Sequence, residues 1–302
     1  MAEEETSKAA AAGDLLGLSN LKYLSEPMRL LIEKASQGVG GLYRPKQIKR
    51  IADAESYAEL ARARTRVKVA AIEDRAAGRV IEAEARKQVN IESVVAKALP
   101  DVANDAKPQR IDDDWLVYFF EKASLFSNDE MQALWAKILA GEANSPGVFS
   151  KRTLNALSIL EHADAQRFTK LAGFVWRISN DDVPVVFDTD ASIYKDQGVT
   201  FGSLTQLDAI GLISFSPSDS LGFNFSKEGK VLVSRQGKDR IFILPKDVTQ
   251  LEIGHVVFTS TGRELYRICK PADIDGYERF ALDYWKQKKV GIKPVKKGET
   301  ST

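Results

Sequence analysis

Apolar and polar positions alternate with a helical step through Ser127–Thr153, SNDEMQALWAKILAGEANSPGVFSKRT. Met131, Leu134, Trp135, Ile138 and Leu139 fall at i, i+3, i+4, i+7 and i+8, one stripe of an amphipathic helix. Ser127 with Glu130 reads as a capping box ahead of the stripe, and Gly141 as the left-handed residue that ends it. An Asn-Ser-Pro-Gly turn follows, and Ser150 restarts a helix with Lys151 and Arg152 in its first turn. The pattern predicts a helical hairpin with a polar elbow.

A different pattern fills 44–100. Pro45 suits a first helical turn, and only Gly78 then interrupts a run dominated by Ala, Arg, Glu and Lys. This predicts one helix of roughly 50 residues, about 75 Å long at about 1.5 Å per residue. Its small apolar positions are Ala54, Ala58, Ala61, Thr65, Val69, Ile72, Ala76, Val80 and Ala83. From Ala58 onward they repeat every 11 residues, a period that favours a nearly straight or right-handed coiled coil. A helix this long exceeds what one small domain buries. The expected oligomer interface is therefore Ala58, Ala61, Val69, Ile72, Ala76, Val80 and Ala83.

The rest of the chain divides around these two elements. Residues 1–43 read as a flexible segment with a short amphipathic helix over Leu21–Ala35, broken near Pro27, and a glycine-rich joint over 37–42. Asp112–Asp114 offer caps for a helix carrying Trp115, Leu116, Phe119 and Phe120. A further helix is expected over about Asp164–Ile178, and Trp115, Trp135 and Trp176 are expected to form the core of a helical bundle over 111–180. After Asp182 strands take over. Leu221–Phe225 and Val231–Ser234 suggest a hairpin around Lys227-Glu-Gly229, and Thr200 caps a helix ended by Gly211. The 182–290 stretch resembles a winged-helix domain, followed by a basic tail over 291–302. Its would-be recognition helix offers bases only Gln206, with Asp208 on the phosphate side. The fold class expected is mainly α with a C-terminal α+β part.

Composition narrows the chemistry. The 302 residues carry a net charge of +1, which makes no case for bulk nucleic-acid affinity. One cysteine and two histidines leave no internal disulfide and too few ligands for a zinc site of the usual kind, although a carboxylate-only magnesium site stays open. No run of about 18 apolar residues is present, and the first residues are acidic where a signal peptide is basic. A cytoplasmic location without a transmembrane span is expected. Arg62, Arg64, Arg66, Lys68, Arg75 and Arg79 cluster on the first half of the long helix. They read as a solvated face with ion pairs, or alternatively as nucleic-acid contacts. His162 and His255 stand in no nucleophile–base constellation, and no cofactor is called for.

Four segments, GVGGLYRPKQIKRIADAE, QVNIESVVAKALP, DDDW and LFSNDEMQALWAKILAGEANSPGVFSKRTL, resemble an uncharacterised bacterial family, domain of unknown function 2806. The likeness runs over about 38–270 and is densest in LWAKILAGE…SKRTL. The chain is also distantly similar to the abortive-infection alpha proteins, which share an eLWAnLLA helix and a wing-like tail. That similarity implies a setting of phage defence. Neither resemblance supplies catalytic residues. The leading expectation is a non-enzymatic, self-assembling scaffold or sensor with a protein partner, its working surface at Lys137, Glu142, Asn144, Ser150, Lys151 and Arg152. A nucleic-acid-binding protein is the runner-up. The third reading is a peripheral membrane effector using Leu15–Ile32.

Overall fold

The computed structural model describes residues 24–39, 67–224, 229–246 and 248–295, with side chains from residue 73 on in the second stretch. The chain forms two compact units, Met1–Ser158 and Ile159–Thr302. The first is helical and the second mixes helices with antiparallel strands, so the fold is α+β with the sheet in the C-terminal part.

In the first unit, α1 spans Glu26–Gly38 and α2 spans Val67–Ala98. Pro27 stands in the first turn of α1, where its missing N–H costs nothing, so it starts this helix rather than breaking one. The predicted helix over 44–66 lies outside the described residues. After α2 a 3-10 turn over Leu99–Asp101 holds Pro100. Then come α3, Asp113–Ala123, α4, Asp129–Asn144, and α5, Lys151–Ile159. Leu31, Ile32 and Ala35 of α1 are buried with Val94, Val95 and Ala98 of α2, Leu116 and Phe119 of α3, and Trp135, Ile138 and Leu139 of α4.

Asp112 caps α3 by accepting from Trp115 N at 2.8 Å, while Asp113 pairs with Lys34 of α1. The cap of α4 is Asn128, not Ser127: its Oδ1 accepts from Glu130 N and Met131 N at 3.0 and 3.1 Å. Gly141 does not end α4, which runs three residues further. A side chain there would lie 2.7 Å from the Phe149 ring, so this glycine makes room for the returning chain.

In the second unit, α6 spans His162–Ala172 and is followed by a hairpin of β1, Val175–Ile178, and β2, Asp181–Pro184. The helix expected to reach Ile178 therefore stops at Ala172. Trp176 is a strand residue of this unit, fully buried there rather than among the N-terminal helices. Next come α7, Ser192–Lys195, and α8, Phe201–Ala209, which carries a capping box of Thr200 with Ser203.

Strands β3, Ile213–Phe215, β4, Leu221–Asn224, β5, Lys230–Arg235, β6, Lys238–Ile243, β7, Gln250–Gly254, and β8, Val256–Phe258, lead to α9, Ser260–Tyr266, α10, Tyr277–Gln287, and β9, Gly291–Pro294. The five-stranded sheet has the order β2-β1-β5-β6-β9, and β3 pairs with β8 and β4 with β7. The expected β4–β5 hairpin does not form. Strand β5 turns directly into β6 through Gln236 and Gly237, both with positive φ (49° and 71°). A two-residue turn of that kind matches the twist of its strands. At Gly254, φ is +93° and a Cβ would fall 1.8 Å from Val186 O, so only glycine lets β7 meet the 186 backbone.

Candidate functional site

The most distinctive surface belongs to α2. Its residues 73–89 include no buried side chain, whereas Ile91, Val94, Val95 and Ala98 are buried in the unit's core. Val80 is 62% exposed, Ile81 40% and Val89 62%. Leaving the exposed part of such side chains in water forgoes about 1 kcal/mol of burial for each. Of the expected interface, Ala76, Val80 and Ala83 lie on this free stretch; Val69 and Ile72 belong to the α2 backbone, and Ala58 and Ala61 fall outside the described residues. Arg75 and Arg79 are exposed on the same stretch. Lys68 is in the α2 backbone, and Arg62, Arg64 and Arg66 lie outside the described residues.

Where α2 enters the core, a buried polar network locks its register against α4. Asn90, 3% exposed, donates to Ser124 O at 2.7 Å and to Ser127 Oγ at 3.1 Å. Gln132 donates to Asn90 Oδ1 at 3.2 Å and to Phe126 O at 2.9 Å. Its Oε1 accepts from Ser93 Oγ at 2.6 Å and Lys97 Nζ at 3.0 Å. Each member is satisfied, the condition under which a buried polar network specifies one arrangement. Asn90 and Gln132 escaped the sequence reading; the signal was polar side chains standing beside the apolar runs NIESVV and MQALW.

The elbow residues divide by function in the fold. Glu142, 2% exposed, accepts from Gly147 N at 2.5 Å and Phe149 N at 3.0 Å. Asn144 accepts from Ala103 N at 2.8 Å and donates to Asp101 O at 3.0 Å. Ser150 caps α5, with Oγ 3.3 Å from Thr153 N. Lys151 and Arg152 are exposed, and Lys137 is half-buried on α4. Trp115 Nε1 donates to Phe149 O at 2.7 Å, fastening the far side of the same loop.

The second unit is organised around a buried cation and two phenols. The inward alternation Val231, Val233, Arg235 carries Arg235 into the core, a signal present in the sequence. Its Nη1 donates to Val175 O and its Nη2 to Gly173 O, both at 2.8 Å. The guanidinium also lies over the Tyr277 ring, 4.7 Å from the centroid. Tyr277 Oη accepts from Trp176 Nε1 at 3.2 Å and lies 2.8 Å from Val185 O. Burial pushes the Tyr194 and Tyr277 phenols above their ordinary range.

Nearer the surface, burial pushes the Glu252 carboxyl up, but hydrogen bonds from Tyr284, Lys288 and Ser220 outweigh it and hold the group below its ordinary value. Glu278 follows the same logic with Lys238 and Arg240. His255 donates from Nδ1 to Ser216 O at 2.9 Å, a structural bond. Gln206 donates to Asp164 Oδ1 at 2.9 Å, and Asp208 Oδ1 accepts from Phe215 N at 3.2 Å. Among the described residues no group of three or more His, Cys, Asp or Glu is placed to hold a metal ion, and no helix is long and apolar enough to cross a membrane.

Residues 74–280, more than half of the chain, match the family described as "Protein of unknown function (DUF2806)". The chain belongs to that family. Neither a curated protein nor a solved structure matches it.

Proposed function

We propose that this chain is a non-enzymatic, self-assembling scaffold or sensor, with the free part of α2 as its assembly element. One observation carries the reading: seventeen consecutive positions of a helix, residues 73–89, lack a single buried side chain, yet include Val80, Ile81 and Val89. An isolated helix in water gains little from propensity alone, because most helical stability in proteins comes from packing an apolar face. A partner helix along this stretch supplies that packing. The C-terminal unit then acts as the presenting module. Its α8 helix leading into β3, which pairs with β8, supports a wing-like role in protein binding. The N-terminal helices, with their tied elbow, support a rigid bundle as the platform.

The test is mass in solution by light scattering at tens of micromolar, with Val80→Glu as the variant. A charged group at the seam has to be desolvated on assembly. The wild type should be oligomeric and the variant monomeric, both with unchanged helical circular dichroism. A monomeric wild type would refute the reading. Steeply salt-dependent retention on heparin by that monomer would favour nucleic acid instead.

A further inference from the structure

We propose that a groove on the N-terminal unit is the seat of the chain's own Leu42 and Tyr43, a contact that goes beyond the assembly reading of α2. The groove holds about 530 Å³ and is lined by the end of α1, by α2 and by α3. Ile91 of α2 and Phe120 of α3 are its most buried apolar lining, 8% and 2% exposed. Val117 and Leu125 of α3 stand open on it, 52% and 64% exposed. Exposed apolar side chains gathered on one wall of a cleft mark a surface that another apolar group covers.

Where the chain leaves α1 decides the occupant. Val39, the residue after α1, is itself part of the groove lining. Its N–H donates to Ala35 O at 3.2 Å, and a Cβ at Gly38 would meet Leu116 of α3 at 2.9 Å. The end of α1 is thus pressed onto α3 and delivers the chain at the groove's rim. Residues 40–66, which lie outside the described residues, begin there. Their first large apolar side chains are Leu42 and Tyr43. From Val39 to Leu42 the chain reaches about 10 Å. A tether that short holds the pair at an effective concentration on the order of millimolar, so a contact too weak to recruit a separate molecule is still made.

Charge agrees with this occupant. The ionised groups on the groove are Glu84, Lys87 and Glu121. Lys87 donates to Glu84 at 2.7 Å, and among the described residues the Glu121 carboxylate meets only its neighbour Lys122, at 3.4 Å. Two carboxylates against one ammonium leave the groove negative. Arg44, Lys46, Lys49 and Arg50 follow Tyr43, with no carboxylate before Asp53. The path onward is open too. Val67 lies roughly 26 Å from Glu84 along α2, and residues 44–66 span that with chain to spare at about 3.3–3.6 Å each. Docking and one straight helix from Pro45 to Ala98 exclude each other, because that helix would set Pro45 roughly 58 Å from Glu84.

Cysteine pairs in the full chain, with Cys269→Ser as background, test the seat. Leu42→Cys combined with Leu125→Cys, or with Val117→Cys, should oxidise to a disulfide within one chain, read as a faster-running monomer on a denaturing gel without reductant. Leu42→Cys with Val89→Cys is the control and should cross-link at least about tenfold more slowly, since Val89 lies about 200° around α2 from Ile91. A second measurement needs no cysteine. Leu125→Lys places a cation where the basic segment would seat, at a position exposed enough to keep the fold, which circular dichroism checks. Chymotrypsin should then cut after Leu42 or Tyr43 about tenfold faster than in the wild type, because cleavage follows the undocked population. Failure of both groove disulfides, a disulfide between chains, equal cross-linking at Val89, or cleavage as fast in the wild type as in the variant would overturn the docking. Light scattering of the wild type separates it from assembly. An oligomer without the intrachain disulfide keeps assembly and loses the docking, and a monomer with that disulfide does the reverse.

Discussion

Two tryptophans of the N-terminal unit differ in one hydrogen bond, and that difference predicts opposite outcomes for one substitution. Trp115 and Trp135 are 5% and 0% exposed, and both pack on Phe119, with ring centroids 5.2 and 5.3 Å away. Trp115 Nε1 donates to Phe149 O at 2.7 Å. Trp135 Nε1 is buried and meets no acceptor among the described residues. Replacing either indole by a phenyl ring removes apolar burial and leaves a small cavity, about 1–2 kcal/mol at each site. At Trp115 the change also strips a buried carbonyl of its donor, a further ~1–3 kcal/mol. At Trp135 it deletes an unsatisfied donor and recovers a similar amount. Trp115→Phe should therefore lose about 2–5 kcal/mol, while Trp135→Phe should stay within about 1 kcal/mol of the wild type. Trp135→Ala, which forfeits the whole ring, should lose about 3–5 kcal/mol. Urea unfolding followed at 222 nm measures all three, with unchanged slope as the check that midpoints compare stabilities. Equal losses for the two phenylalanine variants would refute the hydrogen-bond argument.

Gly141→Ala should destabilise by about 1–2 kcal/mol although alanine favours helix, because the Phe149 ring stands 2.7 Å from the added carbon; a variant that melts higher would show the ring moves freely. Arg235→Lys should cost several kcal/mol, since a single ammonium replaces the planar fork that reaches Gly173 O and Val175 O; rescue to wild-type stability would make the fork irrelevant. Glu252 and Glu278 both have folded pKa values below their unfolded ones. Their stabilisation is present above the unfolded value and is lost as pH falls through the folded one, so melting temperature should drop as pH falls below the ordinary carboxylate range. In a Glu252→Gln, Glu278→Gln double variant the drop should be shallower, and an identical pH profile would remove these groups as its cause.

Local pattern announced the helices of the first unit because their apolar stripes are short-range features. Met131, Trp135, Ile138 and Leu139 are all buried as their spacing requires. Helix ends were harder. The run Ser127-Asn-Asp129 offers three capping side chains, and only the path of the chain selects Asn128. Gly141 has the composition of a helix stop, but its role is set by Phe149, eight residues away on the returning segment. In the second unit Phe174, Val175 and Trp176 mimic a helical stripe. The turn at Ser179 and Asn180, with Ser179 at φ 55°, was the local sign of a hairpin. Pairing of β4 with β7 joins segments separated by the whole β5–β6 hairpin, which no local spacing encodes.

The candidate surface was legible as a pattern, though its boundary was not. The rows of Val69, Val80 and Ile91 and of Ile72, Ala83 and Val94 stay apolar along α2, and only Lys87 interrupts the row of Ala76 and Ala98, so this periodicity alone does not say where the chain's own core takes over. The flanks say it. The position occupied by Lys68 and Arg79 becomes Asn90 one repeat later, and that of Glu73 and Glu84 becomes Val95. Val95 is fully buried, and Asn90 is the hub of the network with Gln132 and Ser124. Charged flanks suit a narrow seam with water on both sides, because each charge keeps its hydration while the stripe between them is covered. Uncharged flanks suit burial in a wide core, where an unpaired charge is expensive. The switch of flank chemistry between residues 84 and 90 thus coincides with the change from exposed to buried side chains. Asn90→Arg would carry the charged flank one repeat further. It places a cation where Ser124 O and Gln132 now close the network, and should cost about 3–5 kcal/mol as an uncompensated buried charge. A variant as stable as the wild type in urea would mean that α2 leaves the core before residue 90, and that the boundary drawn from its flanks is wrong.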